Sequence, residues 1–269
     1  MITTLLALML LQGFPSPEPP IRLQCLVDAY PDHLDRGELD AELGWVVVWK
    51  DGTRMDWDDG NPGKSYDEKL QAPDLEDMMS IPYPTGRLAR PLAKDEDPGR
   101  IRYEPFFRKM YGDSARIVEG KLARLQWMPH SKGKRLKAMS TNAIDKRLAA
   151  ISGRLEKLPS KQRKLAAATS GPFNWRFIHG TKRLSVHSFA IALDVAVKQA
   201  DYWRWAKANK DGAIPYKNRI PHEIAAVFEA QGFIWGGKWY HYDTMHFEYR
   251  PELLDARCIA PAITAAPSP

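Results

Sequence analysis

Apolar positions at alternating steps of four and three run through residues 141–158, "TNAIDKRLAAISGRLEKL". This spacing places the apolar side chains on one face and predicts an amphipathic helix. Thr141 or Asn142 can cap its first turn, because both side chains accept hydrogen bonds from free backbone N–H groups. The apolar stripe consists of Ile144, Leu148, Ile151, Leu155 and Leu158.

A second helix is predicted over "PHEIAAVFEAQG", residues 221–232. Pro221 suits the first turn of a helix, and Gly232 suits its end. The aromatic-rich stretch that follows, "FIWGGKWYHYDTMHFEY", is typical of β structure because aromatic side chains are enriched in strands.

The N-terminal third contains a hairpin signal, "WVVVWKDGTRMDW", at residues 45–57. Its Asp51-Gly52 pair supplies the positive φ angles that a tight turn needs between two strands. Residues 58–102 are rich in Pro, Gly and Asp and show little periodicity. We therefore expect long loops there, with one short helix near residues 74–79.

Bulky and small residues alternate over "FAIALDVAV", residues 189–197, which predicts a strand with one bulky face and one small-residue face. Asp194 falls on the small-residue face, among alanines. An unpaired buried carboxylate is costly, so Asp194 requires a cation or several hydrogen-bond donors. A metal ion is one such cation.

His187 precedes this strand and lies seven residues before Asp194, an odd separation. An unbroken strand would point the two side chains to opposite faces, so shared ligation requires a bend at residues 188–190. From this stretch alone, His187 is either a hydrogen-bonded structural residue or a metal ligand.

A second polar cluster, "DTMHFEY", favours the interpretation of His187 as a metal ligand. His246 opens a strand there, and Asp243 lies on the preceding turn. Two imidazoles and one carboxylate form a three-ligand zinc site with a fourth position left for water, and a nearby carboxylate can take the proton of that water. We expect His187, Asp194 and His246 to bind zinc and Asp243 to act as the base.

These residues carry a family resemblance. "SVHSFAIALD" resembles the S-x-H-x-x-G-x-A-x-D motif of zinc D-alanyl-D-alanine carboxypeptidases and L-alanyl-D-glutamate endopeptidases, which have lysostaphin-type and hedgehog-type folds. "DTMH" is similar to their downstream acid-x-x-His unit, in which the acid is the base and the histidine a ligand. The resemblance covers residues 173–251. Ala190 stands where the family has glycine, at the bend that the parity requires.

The resemblance implies further site residues. The family places an arginine where it stabilises the developing oxyanion, and Arg176 is the preferred candidate. Arg183 is the alternative, although its position close to His187 also fits a charge at a strand edge. Ser185 is expected to contact substrate or to orient a ligand, or else to make a local backbone bond. Trp239 is expected at the substrate cleft, with buried packing as the alternative.

The formal charge of +6 and the isoelectric point of 9.2 favour an anionic partner. Residues 132–164 are the most basic region, and we interpret them as a solvated surface or a contact for an anionic polymer. Their basic and aromatic residues do not interleave as a nucleic-acid stacking groove would need, so we expect no nucleic-acid partner. A peptidoglycan peptide is the expected substrate, and the protein is expected to be a monomer.

The first residues are apolar from Leu5 to Leu11 and then Pro-rich, which indicates a signal peptide over residues 1–20 and a periplasmic or secreted protein. The apolar run is too short to span a bilayer, so no stable membrane insertion is expected after processing. No Lys or Arg precedes the run and no clear cleavage site follows it, so a misplaced start is the alternative.

Cys25 and Cys258 either form a disulfide or remain thiols.

We therefore expect an α+β fold, in which a small central antiparallel sheet carries a zinc site, helices flank it, and an N-terminal β-hairpin and loop-rich extension precede it. The expected divisions are 21–140 for the extension, 141–257 for the zinc peptidase core and 258–269 for a disordered tail. The expected function is zinc-dependent hydrolysis of an amide in peptidoglycan stem peptides. The alternative is a non-catalytic zinc fold that binds cell-wall material or a protein partner.

Overall fold

The computed structural model describes residues 18–88 and 92–259, and the chain in it is α+β with small antiparallel sheets. Most of the expected signal peptide and nearly all of the expected tail lie outside these residues. The helices are α1 Ile21–Ala29, α2 Tyr66–Gln71, α3 Leu75–Met79, α4 Glu104–Tyr111, α5 Ala115–Gly120, α6 Ile144–Leu155, α7 Ser160–Ala167 and α8 His222–Glu229. The strands are β1 Leu34–Asp40, β2 Gly44–Trp49, β3 Arg54–Asp56, β4 Leu122–Gln126, β5 Arg135–Met139, β6 Ala192–Asp194, β7 Phe233–Trp235 and β8 His246–Tyr249.

The predicted N-terminal hairpin is confirmed as the antiparallel pair β2–β3, with Gly52 at φ +81° in its turn. β1 adds a third strand on the other side of β2. The short helix near residues 74–79 is also confirmed as α3, which begins at an Asp74 cap. The prediction that the rest of 58–102 forms loops was wrong at α2, where Ser65 and Glu68 form a capping box.

The two predicted helices are present as α6 and α8, but both are shorter than the sequence predicted. α6 covers residues 144–155 and begins after Ala143, whose φ is +54° and whose side chain makes no cap hydrogen bond. The expected cap at Thr141 or Asn142 was therefore wrong: these residues lie in a short 3-10 turn, and Asn142 is left-handed at φ +57°. α8 follows Pro221, which is the residue before its first turn, and Gly232 lies just beyond the helix at φ +86°.

The strand expected over residues 189–197 was largely wrong, because β6 consists of Ala192–Asp194 alone. His187 lies instead in a 3-10 turn, Val186–Phe189, that ends at Ala190. Ala190 adopts φ +56° and ψ +29°, so the bend that the parity required is confirmed, and it forms with a Cβ present. Ala196, at φ +53°, turns the chain again after β6.

The β structure expected over residues 233–249 is confirmed as two strands, and the second begins at His246 as predicted. β7 and β8 both pair with antiparallel geometry, in the order β6-β8-β7, and residues 236–245 form the connection between them. β8 therefore lies in the middle of its three-stranded sheet. β6 pairs with His246 directly, and β7 pairs with the next three residues of β8.

One hydrophobic cluster joins the N-terminal part of the chain to this sheet. Phe106 and Phe107 of α4 are buried in the same cluster as Phe189 and as Phe247 of β8. A disulfide between Cys25 and Cys258 links α1 to the segment after β8, which answers the question that the sequence left open. Among residues 18–88 and 92–259, no helix combines the length and apolar character needed to cross a bilayer.

Candidate metal centre

Three of the residues selected from the sequence come together at one point. His187, Asp194 and His246 each offer a ligand atom, and these atoms lie within 4.8 Å of one another. Oδ1 of Asp194 is 3.3 Å from Nε2 of His187 and 3.2 Å from Nδ1 of His246. The carboxylate therefore bridges two imidazoles that use different ring nitrogens.

The local fold explains this convergence. Asp194 and His246 are direct cross-strand partners in the β6–β8 pair, so their side chains lie on the same face of the sheet. His187 reaches them from the 3-10 turn. Ser185, the residue before this turn, accepts a hydrogen bond from the His187 backbone N–H at 3.4 Å. Nδ1 of His187 lies 3.1 Å from the Pro172 carbonyl oxygen, which leaves Nε2 directed at Asp194.

The charges of the three residues depend on one another. Burial raises the pKa of Asp194, but the two neighbouring histidines outweigh it and hold the pKa far below its usual value. Burial lowers the pKa of His246, while hydrogen bonds to Asp194 and Glu248 outweigh it and raise the pKa to about 9. A half-buried carboxylate between two imidazoles is a suitable environment for a metal cation.

Sequence reasoning missed the role of Glu248, which is buried directly behind His246. Its Oε2 lies 3.3 Å from Nε2 of His246, on the ring side opposite to Asp194. Arg102 holds this carboxylate with two donors, Nε at 2.9 Å and Nη2 at 2.5 Å, and Arg250 lies 3.5 Å away. Period-two alternation in β8 was the available signal, because it places Glu248 on the same face as His246. No comparable signal pointed to Arg102.

Asp243 lies on the turn before β8, at the wall of the same cleft. Its Oδ1 is buried without a hydrogen-bond partner among the described residues. Burial raises the pKa of Asp243 to about 6, against the opposing effect of His246. A carboxyl group with a free oxygen and a pKa near neutrality can accept a proton and pass it on.

The cleft in front of the three residues has a volume of about 330 Å³. Arg176 is exposed at this cleft, and Ser185 and Trp239 also border it. Trp239 is only 3% exposed, and its indole N–H donates to the Pro98 carbonyl. The other residues selected from the sequence that line the cleft are Arg183, His187, Asp194, Asp243 and His246.

Residues 179–249 match a family model described as D-alanyl-D-alanine carboxypeptidase. The resemblance to that family is confirmed. The matched segment contains the 3-10 turn, the sheet β6-β8-β7 and both polar clusters, whereas Arg102 and Arg176 lie before it. Searches of curated proteins and of solved structures found no match.

The donor set suits zinc. Two imidazoles and one carboxylate are typical zinc ligands, and the three-residue set leaves a coordination position for water or substrate. A carboxylate behind a ligating histidine fixes its tautomer, and Glu248 lies where such a carboxylate is needed.

Proposed function

We propose that this protein is a zinc-dependent peptidase that hydrolyses an amide bond in peptidoglycan stem peptides. The observation that carries the proposal is the meeting of His187, Asp194 and His246 beside Asp243 in one cleft. The family match over residues 179–249 supports the same activity. The proposed scissile bond is either a terminal D-Ala-D-Ala bond or an L-Ala-D-Glu bond.

In this proposal His187 binds the metal through Nε2 and His246 through Nδ1, because these nitrogens face Asp194. When bound, zinc supplies a Lewis acid that polarises the scissile carbonyl and makes water more acidic. Pro172 and Glu248 keep the two imidazoles in their required tautomers by accepting hydrogen bonds at the other ring nitrogens. The protein thus prepares both rings before the substrate arrives.

Asp243 is the proposed general base. Its unpaired Oδ1 takes a proton from the attacking water and transfers the proton to the leaving amine. Arg176 is the proposed donor to the developing oxyanion, since it is exposed at the cleft and makes no ion pair among the described residues. Ser185 and Trp239 are proposed to contact substrate at the cleft wall.

A zinc fold that only binds cell-wall material is the alternative. Asp243 argues against it, because a binding site has no need of a buried carboxylate oxygen left without a partner.

We further propose a periplasmic or secreted location, which is supported by the Cys25–Cys258 disulfide, since such bonds persist in oxidising compartments. A monomer is the proposed assembly state.

Digestion of purified muropeptides by the zinc-loaded protein tests the activity. Mass spectrometry of the products is expected to show either loss of a terminal D-alanine, or release of a peptide that begins with D-glutamate while L-alanine stays on the muramyl group. The metal-free protein and the Asp243→Asn variant serve as controls and are expected to leave the muropeptides intact. Intact muropeptides with the zinc-loaded protein would refute the peptidase proposal.

A further inference from the structure

The hairpin of β4 and β5 lies before the segment that matches the family model, and one of its faces is basic. Arg124 of β4 is the direct cross-strand partner of Lys137 of β5, and Gln126 is the partner of Arg135. Direct partners, and alternate residues of one strand, point to the same side of a sheet. All four residues are exposed, and we call this surface the basic face.

The charges of the basic face are not balanced within the protein. Like charges directly opposite each other destabilise an antiparallel pair, and Arg124 faces Lys137. Among the described residues, no carboxylate forms an ion pair with a lysine or arginine of residues 121–164. Glu156 of this region instead accepts hydrogen bonds from the backbone of His130 and the hydroxyl of Ser131. An anion from outside the protein would therefore stabilise the basic face.

The absence of apolar groups from this surface limits the kind of anion that fits it. Binding to a lipid surface uses apolar side chains that enter the headgroup layer, and binding to single-stranded nucleic acid uses exposed aromatic rings. In the part of the chain that the structure describes, the exposed large apolar residues all lie outside residues 121–164: Ile21, Leu39, Leu43, Ile117, Phe177, Val197 and Trp205. The basic face therefore suits a hydrated polymer that carries separate anionic groups.

Hydrogen bonds link the hairpin to the metal centre. Lys134, which precedes β5, donates from Nζ to the Ser170 carbonyl at 3.3 Å, and the Ser170 backbone N–H donates to the Asp194 carbonyl at 3.2 Å. Two residues further on, the Pro172 carbonyl lies 3.1 Å from Nδ1 of His187. The segment that contacts two of the proposed ligands thus also contacts the hairpin. A polymer that places one peptide in the cleft can therefore place another on the hairpin.

We propose that the basic face binds carboxylates of intact peptidoglycan, on stem peptides other than the one that occupies the cleft. Stem peptides recur along the glycan, and each uncrosslinked one ends in a carboxylate. Arg124 and Arg135 offer planar pairs of donors that match a carboxylate, and Lys137 adds a third charge beside both. This inference rests on the proposed peptidase function for its choice of polymer. It adds a contact outside the cleft and gives the segment before the family match a role in substrate binding.

Cosedimentation with insoluble peptidoglycan tests the binding. The material is stripped of phosphate polymers and is used with its carboxylates either free or converted to amides. The Asp243→Asn protein is used throughout, because it is expected to leave the polymer uncleaved. A triple variant with Arg124→Gln, Arg135→Gln and Lys137→Gln is expected to raise the Kd for the free-carboxylate material by about 10-fold or more, because three ionic contacts are lost. The Kd for the amidated material is expected to stay unchanged.

The matched control removes three positive charges elsewhere, with Lys207→Gln, Lys210→Gln and Lys217→Gln at exposed lysines. This control is expected to bind like the parent protein. Equal affinity of the parent protein for the free and amidated materials, or equal losses in the two triple variants, would overturn the inference. Tighter binding to soluble poly(glycerol phosphate) than to peptidoglycan would also overturn it, because the partner would then be a phosphate polymer.

A single change keeps the test independent of folding defects. Lys137→Glu places opposite charges at the Arg124–Lys137 pair, so the thermal unfolding temperature is expected to stay the same or rise. The same change is expected to weaken binding to the free-carboxylate material. Unchanged binding in a folded Lys137→Glu protein would contradict the proposal.

Activity measurements separate this inference from the peptidase proposal. With Asp243 restored, the Arg124, Arg135 and Lys137 triple variant is expected to release peptides from dilute intact peptidoglycan about 10-fold more slowly. Its kcat/KM for soluble muropeptides is expected to stay unchanged, since none of the three residues lines the cleft. Cleavage of both substrates at the parent rates would refute the basic face but not the peptidase. An inactive protein that still binds free-carboxylate peptidoglycan through the basic face would refute only the peptidase.

Discussion

Asp194 and His246 are register partners in the antiparallel pair β6–β8, and their facing atoms, Oδ1 and Nδ1, are 3.2 Å apart. Backbone hydrogen bonds fix this register, so the pairing of β6 and β8 places the two side chains next to each other. His187, on the preceding 3-10 turn, completes the group with Nε2 at 3.3 Å from the same oxygen. Two of the three proposed ligands are thus positioned by a sheet and the third by a turn.

The first prediction concerns metal binding. His187→Ala and His246→Ala are each expected to remove the zinc from the purified protein, because each leaves only two of the three proposed protein ligands. Atomic emission spectrometry measures the metal content. His130→Ala, a change at an exposed histidine outside the group, is the control and is expected to keep one zinc. Retained zinc in both variants would contradict the ligand assignment.

The second prediction separates catalysis from metal binding. Asp243→Asn is expected to lower kcat by about 10²- to 10⁴-fold, the usual contribution of a general base, while zinc remains bound. Steady-state cleavage of the preferred peptide and metal analysis of the same sample measure the two effects. If turnover is unchanged, Asp243 is not the base. If zinc is lost as well, it belongs among the ligands.

The third prediction concerns the carboxylate behind His246. Glu248→Gln is expected to weaken zinc affinity by about 10- to 100-fold, because the amide is a weaker acceptor for the imidazole N–H. Competition with a chromophoric chelator measures the affinity. Glu252→Gln is a matched control: Glu252 is equally buried and accepts from the same Arg250, but it has no contact with His246. The control is expected to change stability and to leave zinc affinity intact.

The fourth prediction concerns the left-handed conformation of Ala190, where β-branched side chains are rarely accommodated. Ala190→Val is expected to lower the free energy of unfolding by about 1 kcal/mol or more beyond the loss caused by Ala192→Val. Both alanines are buried, but Ala192 lies in extended backbone, so the second variant isolates the effect of volume. Urea unfolding of the metal-free proteins measures the difference.

Ala190→Gly provides the converse test. Relief of about 1–2 kcal/mol of left-handed strain is offset by the greater freedom of glycine in the unfolded chain and by the loss of one buried methyl group. The free energy of unfolding is therefore expected to change by less than about 1 kcal/mol. A much larger loss would mean that the methyl group of Ala190 carries essential packing.

The fifth prediction is a pH dependence of stability that arises at Asp77. Burial raises its pKa, but hydrogen bonds from Lys64 and Lys69 outweigh burial and hold the pKa below its usual value. The unfolded chain therefore binds the proton more tightly, and this contribution, fully present above about pH 4, is lost as the pH falls through the lower folded value. Asp77→Asn is expected to reduce the difference in unfolding free energy between pH 6 and pH 3.

The control for this measurement is Asp113→Asn, at an exposed aspartate. Its difference between the two pH values is expected to equal that of the unmodified protein. An equal difference in Asp77→Asn would show that the two lysines do not stabilise the charged form of Asp77.

Periodicity determined the regular elements with strong local signals. The stripe of α6, the Asp51-Gly52 turn and the short helix α3 all depend on neighbours within one or two turns of chain, so the sequence alone was sufficient. Element ends were less well predicted. The strand expected over residues 189–197 consists only of Ala192–Asp194, because alternation of apolar residues cannot show where a backbone turns left-handed.

For the site, sequence parity by itself established that His187 and Asp194 require a bend between them, and the paired motifs indicated which residues converge. Only the tertiary structure brought Arg102 and Glu248 together behind His246. These relationships join residues up to 146 positions apart. No local pattern encodes such contacts, because they arise when the N-terminal segment packs against the sheet and removes its charged groups from water.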